Sequence, residues 1–324
     1  MLDALRFVQG AVAKKDFVPS LTHFHIDNGV IRGYNGRMAL CSPIDLHLQA
    51  APKAIPFVKA IQTCKETVTM HLTESNRLSV KSGVFKAFVD CADFGEYPNI
   101  QPEGVEVQIP APEEFFKALS VVAKFTAEDA SRPWAQGVLF RGHSAYATNN
   151  VVIVEHWMPV PFPVEVNIPK AAVQEILRIG EAPMSFQATD TSITFNFSGN
   201  RWLRTQTYEV GWPDVSKILD QQAAPAPFPE GFFNALADLK PFLDKLEAVA
   251  FRNGALVTAP AEGAGASVEI PGLPEDGTFN HKFITMLDGI ATHIDFSKYP
   301  GPCVFYGNML RGAIIGMRPI EEVA

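Results

Sequence analysis

Cysteine is scarce in this chain and widely scattered. Cys41, Cys64, Cys91 and Cys303 form no CxxC pair, so neither a zinc site nor a redox dithiol is signalled, and reduced thiols in a cytoplasm are expected. Long apolar runs are missing as well. None reaches the roughly 18 to 20 residues needed to cross a bilayer, and the opening MLDALRFVQGAVAKKDF has no basic stretch ahead of its apolar part. A cytoplasmic, non-secreted protein with no membrane partner is the expectation. A basic surplus is also lacking. The net charge of -8 argues against a chain coated in nucleic acid, yet an acidic exterior with a local basic stripe gives the same total.

The signatures of common catalysts are absent too. There is no GxxxxGK[ST], HExxH, GxSxG or EF-hand loop. Glu262-Gly263-Ala264-Gly265 is not followed by a helical pattern, as a dinucleotide loop would be. Trp212-Pro213-Asp214 is similar to the acid loop of tyrosine phosphatases, but no cysteine is followed by Arg at the sixth position. His23 and His25 share a strand face without a neighbouring acid or Cys, and are read as structural. No catalytic residue, metal or cofactor is assigned.

What the chain does have is a repeat. Pro52-Lys53-Ala54 returns as Pro169-Lys170-Ala171 at a spacing of 117, and Tyr97-Pro98-Asn99-Ile100 returns as Trp212-Pro213-Asp214-Val215 at 115. PEEFFKAL at Pro112 to Leu119 returns as PEGFFNAL at Pro229 to Leu236, identical at six of eight positions. Such a period marks a multiplied structural unit. Each copy reads as helix, strands, helix, strands.

The first copy holds an amphipathic helix over Leu2 to Lys15, with Leu5, Val8 and Val12 on one face and Arg6, Gln9 and Lys14 on the other. Strands follow at Leu21 to Ile26 and from Val30, joined by an Asp27-Asn28-Gly29 turn, then at Met38 to Cys41 after Tyr34-Asn35-Gly36-Arg37. A helix from Ile55 to Lys65 precedes strands at Val68 to Leu72, Leu78 to Lys81 and Val84 to Val89. In the second copy the helices are Pro112 to Lys124, with Lys117 and Lys124 opposite Phe115, Leu119 and Val122, and Lys170 to Ile179, with Lys170, Gln174 and Arg178 opposite Ala172, Ile176 and Ile179. Strands are expected at Val105 to Ile109, Gly137 to Arg141, Ser144 to Thr148, Val151 to His156, Met184 to Ala188, Ile193 to Phe197 and Trp202 to Tyr208. The third copy follows a Pro/Ala-rich linker, Ala223 to Phe228. It has less distinct strands, a helix from His281 to Ala291, and a Gly/Ala stretch, Ala259 to Ala266, read as a flexible hairpin tip.

Four stretches carry a family resemblance: Gln136-Gly137-Val138-Leu139-Phe140, Tyr146-Ala147-Thr148-Asn149-Asn150, Ile168-Pro169-Lys170 and Trp212-Pro213-Asp214-Val215. In order and spacing they resemble the GVLF, VATDG, VPRK and FPDY stretches of the bacterial-type DNA sliding clamp, the β processivity subunit of replicative DNA polymerase. The tail Ala313-Ile314-Ile315-Gly316-Met317-Arg318-Pro319 is similar to that family's closing VVMPMRL. The resemblance covers the first two copies well and the third mainly at its opening helix and tail. At 324 residues the chain is shorter than typical bacterial members, as a phage-encoded or divergent member acting in a host cytoplasm would be.

The resemblance implies an α+β fold of three clamp-type domains, 1-104, 105-222 and 223-324, each with two helices packed on antiparallel sheets. Two copies would close head to tail into a ring, a homodimer around duplex DNA held without sequence preference. DNA-facing positions would be Arg6, Lys14, Lys15, Lys59, Lys117, Lys124, Arg132, Lys170, Arg178 and Lys282. Asp238 falls on the helix face where Lys117 sits in the repeat and weakens that face of the third domain. The replicative polymerase and clamp loader would insert short hydrophobic peptides into a groove formed by Thr148, Asn150, Val151, Ile153, Pro213, Val215, Ile314, Ile315, Met317 and Arg318. Val151 replaces the family's usual His. The subunit contact would pair the edge strand at Phe85, Ala87 and Val89 with the partner subunit's Phe242 and Leu243. A competing expectation is a peptide-binding scaffold of the same fold that has lost the ring; an enzyme on a repeated α+β scaffold is the third and weakest.

Overall fold

Asn28 and Gly29 both adopt positive φ, 42° and 94°, which is what a two-residue turn between right-twisted strands requires. They close a hairpin of His25–Asp27 on Val30–Tyr34. The next strand, Met38–Pro43, is reached through Asn35, whose side-chain oxygen accepts from the amides of Arg37 and Met38. Sequence turn chemistry thus sets the register of the first meander.

The computed structural model describes residues 1–129, 131–208, 211–258 and 265–318. Its helices in chain order are α1 (Leu2–Val8), α2 (Ala54–Thr63), α3 (Pro112–Val122), α4 (Lys170–Ile179), α5 (Ser216–Leu219), α6 (Phe232–Leu239) and α7 (His281–Thr285). No described helix is long and apolar enough to cross a membrane. Residue contacts divide the chain into a first unit, residues 1–116 with 166–209, and a second, residues 117–165 with 210–324.

In the first unit an antiparallel sheet runs Gln49–Ala50, His25–Asp27, Val30–Tyr34, Met38–Pro43, Arg201–Gln206, Ser192–Phe197, Ser185–Ala188, Glu106–Gln108. Its central seam joins segments far apart in sequence, with Leu40 opposite Leu203 and Ala39 opposite Arg204. A separate three-stranded sheet holds Val68–Leu72, Arg77–Ser82 and Phe85–Asp90. The apolar stripes of the helices bury Leu5 and Phe7 of α1, Phe57 and Ile61 of α2, and Ala172 and Ile176 of α4. Phe7 meets Phe197 edge-on at 5.7 Å, and Phe24 meets Phe57 at 6.4 Å.

In the second unit the strands Gly137–Arg141, Ser144–Thr148, Val152–Trp157, Leu310–Ile315, Pro302–Gly307, Ala291–Ile294 and Ala226–Pro227 lie in that order. Here the long-range seam sets Ile153 opposite Ala313. A four-stranded sheet, Ser267–Glu269, Ala255–Thr258, Ala248–Arg252, Gly277–Asn280, completes it. The stripe Phe232, Ala235, Leu236 and Leu239 of α6 is buried at helical spacing. Phe251 stands 6.2 Å from Phe232 and 5.1 Å from Phe296 at near-right angles, in an aromatic core.

Several sequence expectations shift. α1 ends at Val8 and passes into a 3-10 turn, Gln9–Ala11, instead of continuing to Lys15. In that turn a Cβ on Gly10 would stand 1.7 Å from the Glu175 carboxylate, so any larger residue there would have to displace that side chain. Leu21 lies in a 3-10 turn, Pro19–Thr22, and not in a strand. α7 stops at Thr285, because Ala291–Ile294 is taken up by the sheet. Gly277–Asn280 forms a strand that the sequence pattern did not announce. In the Gly/Ala stretch Ala259 to Ala266, residues 259–264 lie outside the described residues; Val257 pairs with Ser267 across it. Pro319 also lies outside them, as does Ala130.

Candidate functional site

All ten groove positions fall in the second unit. Because side chains alternate across a strand, the pairing of Ile153 with Ala313 puts both on one sheet face. That face holds a packed apolar patch of Ile153, Val304 and Ala313, covered by Trp212, Val215, Ile218 and Leu219 from the segment that ends in α5. Asp214 starts this short helix by accepting from the Ser216 amide at 3.0 Å. Trp134 meets Trp212 at 5.1 Å and Tyr146 lies 6.2 Å from it, an aromatic cluster beside the apolar patch.

The turn at its rim is tightly tied. Thr148 Oγ1 donates to the Val152 carbonyl and accepts from the Asn150 amide, and Asn149 Oδ1 accepts from the amides of Val151 and Val152. Asn150 takes positive φ, 73°, and its side-chain oxygen accepts from Arg132 at 3.2 Å. Pro213 is exposed, Val151 and Val215 are half-buried, and Ile315 is 45% exposed. Met317 is held by its amide on the Thr278 carbonyl, while its own carbonyl accepts from the Tyr299 hydroxyl. Arg318 is exposed. Ile314 is different: it is fully buried, pairs with Val152, and points away from the face that carries Ala313. It is a core residue. That orientation follows from strand parity, which an all-apolar Ala313-Ile314-Ile315 run cannot declare.

Beneath the groove a polar row crosses the same face. Glu155, 3% exposed, accepts from Ser144 Oγ at 2.6 Å, Tyr146 Oη at 2.7 Å and Arg311 Nε at 2.6 Å. Arg311 also donates to Asp220 and to the Leu219 carbonyl, fixing α5 to the sheet. Burial alone pushes the Glu155 carboxyl up, but the hydrogen bonds from Ser144, Tyr146 and Arg311 outweigh it and hold it below the ordinary range. Desolvation and the Glu155 bond together push the Tyr146 phenol up to about 12, so it donates at neutral pH. The sequence reading missed Trp134, Ile218, Leu219, Val304 and Ala313. Only strand parity and the one-turn α5 would have identified them, and four residues show no helical period.

The basic candidates divide between the units. In the first, Lys14, Lys15 and Lys59 are exposed, Arg6 is exposed with Asp3 at 3.8 Å, and Lys170 is half-buried in the first turn of α4. Arg178 is committed internally: it clamps Glu175 through Nε and Nη2 and donates to the Phe7 carbonyl at 2.9 Å. In the second, Lys117 on α3 and Lys282 on α7 are exposed. Lys124, in the 3-10 turn after α3, has its amine pulled below the usual lysine range by burial, against the opposing charge of Asp288. Arg132 belongs to the groove rim through Asn150. Asp238 is exposed on α6. His25 is stacked between Phe94 and Tyr97, with centroids at 4.2 and 4.5 Å, a packing role.

Phe85–Asp90 is an edge strand of its three-stranded sheet. Val89 is buried and Phe85 and Ala87 half-buried, so this face turns into the unit, while Phe88 on the other is 48% exposed with Lys86 Nζ 4.7 Å from its ring. Phe242 is 51% exposed and Leu243 half-buried.

No family model and no curated protein matches the chain. Solved structures do. The DNA polymerase sliding clamp from Caulobacter crescentus superposes with a TM-score of 0.84 at 17% identity, over 98% of this chain and 97% of that one. A sliding clamp, DNA polymerase III subunit beta, from Bartonella birtlesii bound to griselimycin gives 0.84 at 14% over the same shares. The beta subunit from DNA polymerase of Streptococcus pyogenes gives 0.80 at 15%. The architecture is therefore that of the bacterial β sliding clamps: mixed helices and antiparallel sheets matched over nearly the whole length. At these identities the likeness defines the fold.

Proposed function

We propose that this chain is a DNA sliding clamp, a non-enzymatic processivity factor that encircles duplex DNA and tethers a replicative polymerase in the cytoplasm, that of a host cell if the chain is phage-encoded. The observation that carries this reading is a β-clamp fold over nearly the whole chain bearing an apolar and aromatic cluster at the positions that the family resemblance implies for partner peptides. In this reading the domains are 1-104, 105-222 and 223-324, and two copies close head to tail, with Phe85–Asp90 of one chain meeting the segment of Phe242 and Leu243 in the other. Exposed Arg6, Lys14, Lys15, Lys59, Lys117, Lys124 and Lys282, with Lys170, face the DNA and contact phosphates without reading bases. Arg132 and Arg178 contribute less, because their donors are engaged within the protein. Polymerase and loader peptides enter over Ile153, Val215 and Ile315.

The test is retention on primed DNA circles with a clamp loader and polymerase. Retention should be lost when the circle is linearised, since processivity by topology needs no free end. A chain that dissociates equally from circles and linear DNA is not a clamp. The engaged state of Arg178 and the net charge of -8 favour the second reading, a peptide-binding scaffold without a ring. Reversing Lys117 and Lys124 separates the two: a clamp loses retention and keeps peptide affinity, while a scaffold shows no retention to lose.

A further inference from the structure

The two copies of the aromatic-Pro-Asx-aliphatic turn lead to opposite chemistry. In the second unit, Val215 of that turn packs over the Ile153–Ala313 pair. In the first unit, Ile100 of the matching turn packs over Ala39, but the residue paired with Ala39 is Arg204. Where the second turn goes on to apolar Ile218, the first goes on to Glu103. The outcome is a pocket of about 250 Å³ whose apolar floor is Tyr34, Ala39 and Ile100 and whose wall carries Arg37 and Arg204.

Arg204 is only 17% exposed at its side chain and already holds a carboxylate: Glu103 Oε2 lies 2.8 Å from Nη2. It is steadied by Ser192 Oγ at 3.3 Å and by the Gln101 carbonyl. Glu103 itself is 61% exposed at its side chain and has no second ion pair among the described residues. Arg37, in the same wall, makes no side-chain ion pair among the described residues. A half-buried guanidinium capped by an exposed, displaceable carboxylate, beside a second unengaged guanidinium, is built to exchange one carboxylate for another.

We propose that this pocket binds the carboxylate of an acidic peptide segment. The incoming group takes the place of Glu103 on Arg204 and pairs with Arg37, and Glu103 swings into water. The apolar floor takes the adjacent side chain, and Thr191 and Gln206 offer hydrogen bonds to the peptide backbone. A peptide suits the pocket better than a nucleic-acid backbone, which would meet Glu103 and only one unengaged cation, too few for phosphate tracking. The inference does not depend on ring closure or on the apolar groove being used.

The probe is a fluorescein-labelled pentapeptide with two glutamates flanking a leucine, titrated into the full chain by fluorescence anisotropy, against its two-glutamine counterpart. The glutamate peptide should bind and the glutamine peptide should not. Arg37→Ala should weaken binding by about tenfold, the loss of one charge-assisted hydrogen bond, and this exposed substitution leaves the fold intact. Glu103→Gln should tighten binding several-fold by removing the internal competitor, and an excess of an unlabelled hydrophobic peptide without acidic residues should not displace the probe. Equal binding of both peptides, insensitivity to Arg37→Ala, or displacement by that hydrophobic peptide each overturns the proposal. So does displacement of the peptide by a duplex oligonucleotide at matched charge, which would assign the pocket to nucleic acid instead.

Discussion

Arg311 is the residue on which the groove floor turns. Removing its side chain leaves Glu155 buried and without its cation, so Arg311→Ala should cost about 3 to 5 kcal/mol in chemical denaturation, far more than an exposed pair would. The same contact sets an acid limit. The folded Glu155 carboxyl titrates below its unfolded value, so its contribution is fully present above about pH 4.5 and is lost as pH falls through the folded value. Stability measured from pH 6 to 3 should therefore fall in the wild type, and fall less in Glu155→Gln. Single residues are also where the sequence was hardest to read. Lys117 stands out on its helix as an exposed cation, and the structure leaves it exposed. Arg178 shows the same spacing, yet its charge serves Glu175, a partner three residues away whose burial no periodicity reveals. Ile314 and Ala313 differ only in parity, and parity is set by pairing with a strand about 160 residues earlier.

At the scale of elements, turn chemistry and helical stripes were legible, and helix ends were not. α4 spans its expected residues, and its end is set by Gly180, which at φ 75° stops it in the left-handed conformation. α1 stops early, at Val8, and just beyond it the Glu175 carboxylate packs on Gly10. Glu175 is held there by Arg178, which also donates to the Phe7 carbonyl in the last turns of α1, so the two helices are fastened by one bracket. Gly10→Ala would force Glu175 off Arg178. A double-mutant cycle of Gly10→Ala and Arg178→Ala should accordingly show strong non-additivity, with the pair costing about 1 to 3 kcal/mol less than the sum of the singles. Additive losses would mean that the bracket is not shared.

For the whole molecule, the mixed helix and antiparallel-sheet fold expected from the sequence is matched over nearly its full length, while the long-range seams that join distant strands could not be read from local patterns. Assembly is the open quantity that one measurement decides. Exposed Phe242 on one surface and the Phe85–Asp90 edge on another should meet in a head-to-tail dimer, and Phe242→Ala with Leu243→Ala should bring the scattering mass down to the single-chain 35.5 kDa. A wild-type mass already at that value would remove the ring. The chain also carries its own optical reporter. Of its four tryptophans, Trp134 and Trp212 touch in the groove wall, Trp157 lies under the Arg311 guanidinium, and Trp202 packs beside Ala39 in the other unit. Emission from the unlabelled protein should shift as a hydrophobic peptide displaces water from the first pair, and replacing those two by phenylalanine would silence that signal, leaving only the light of Trp157 and Trp202.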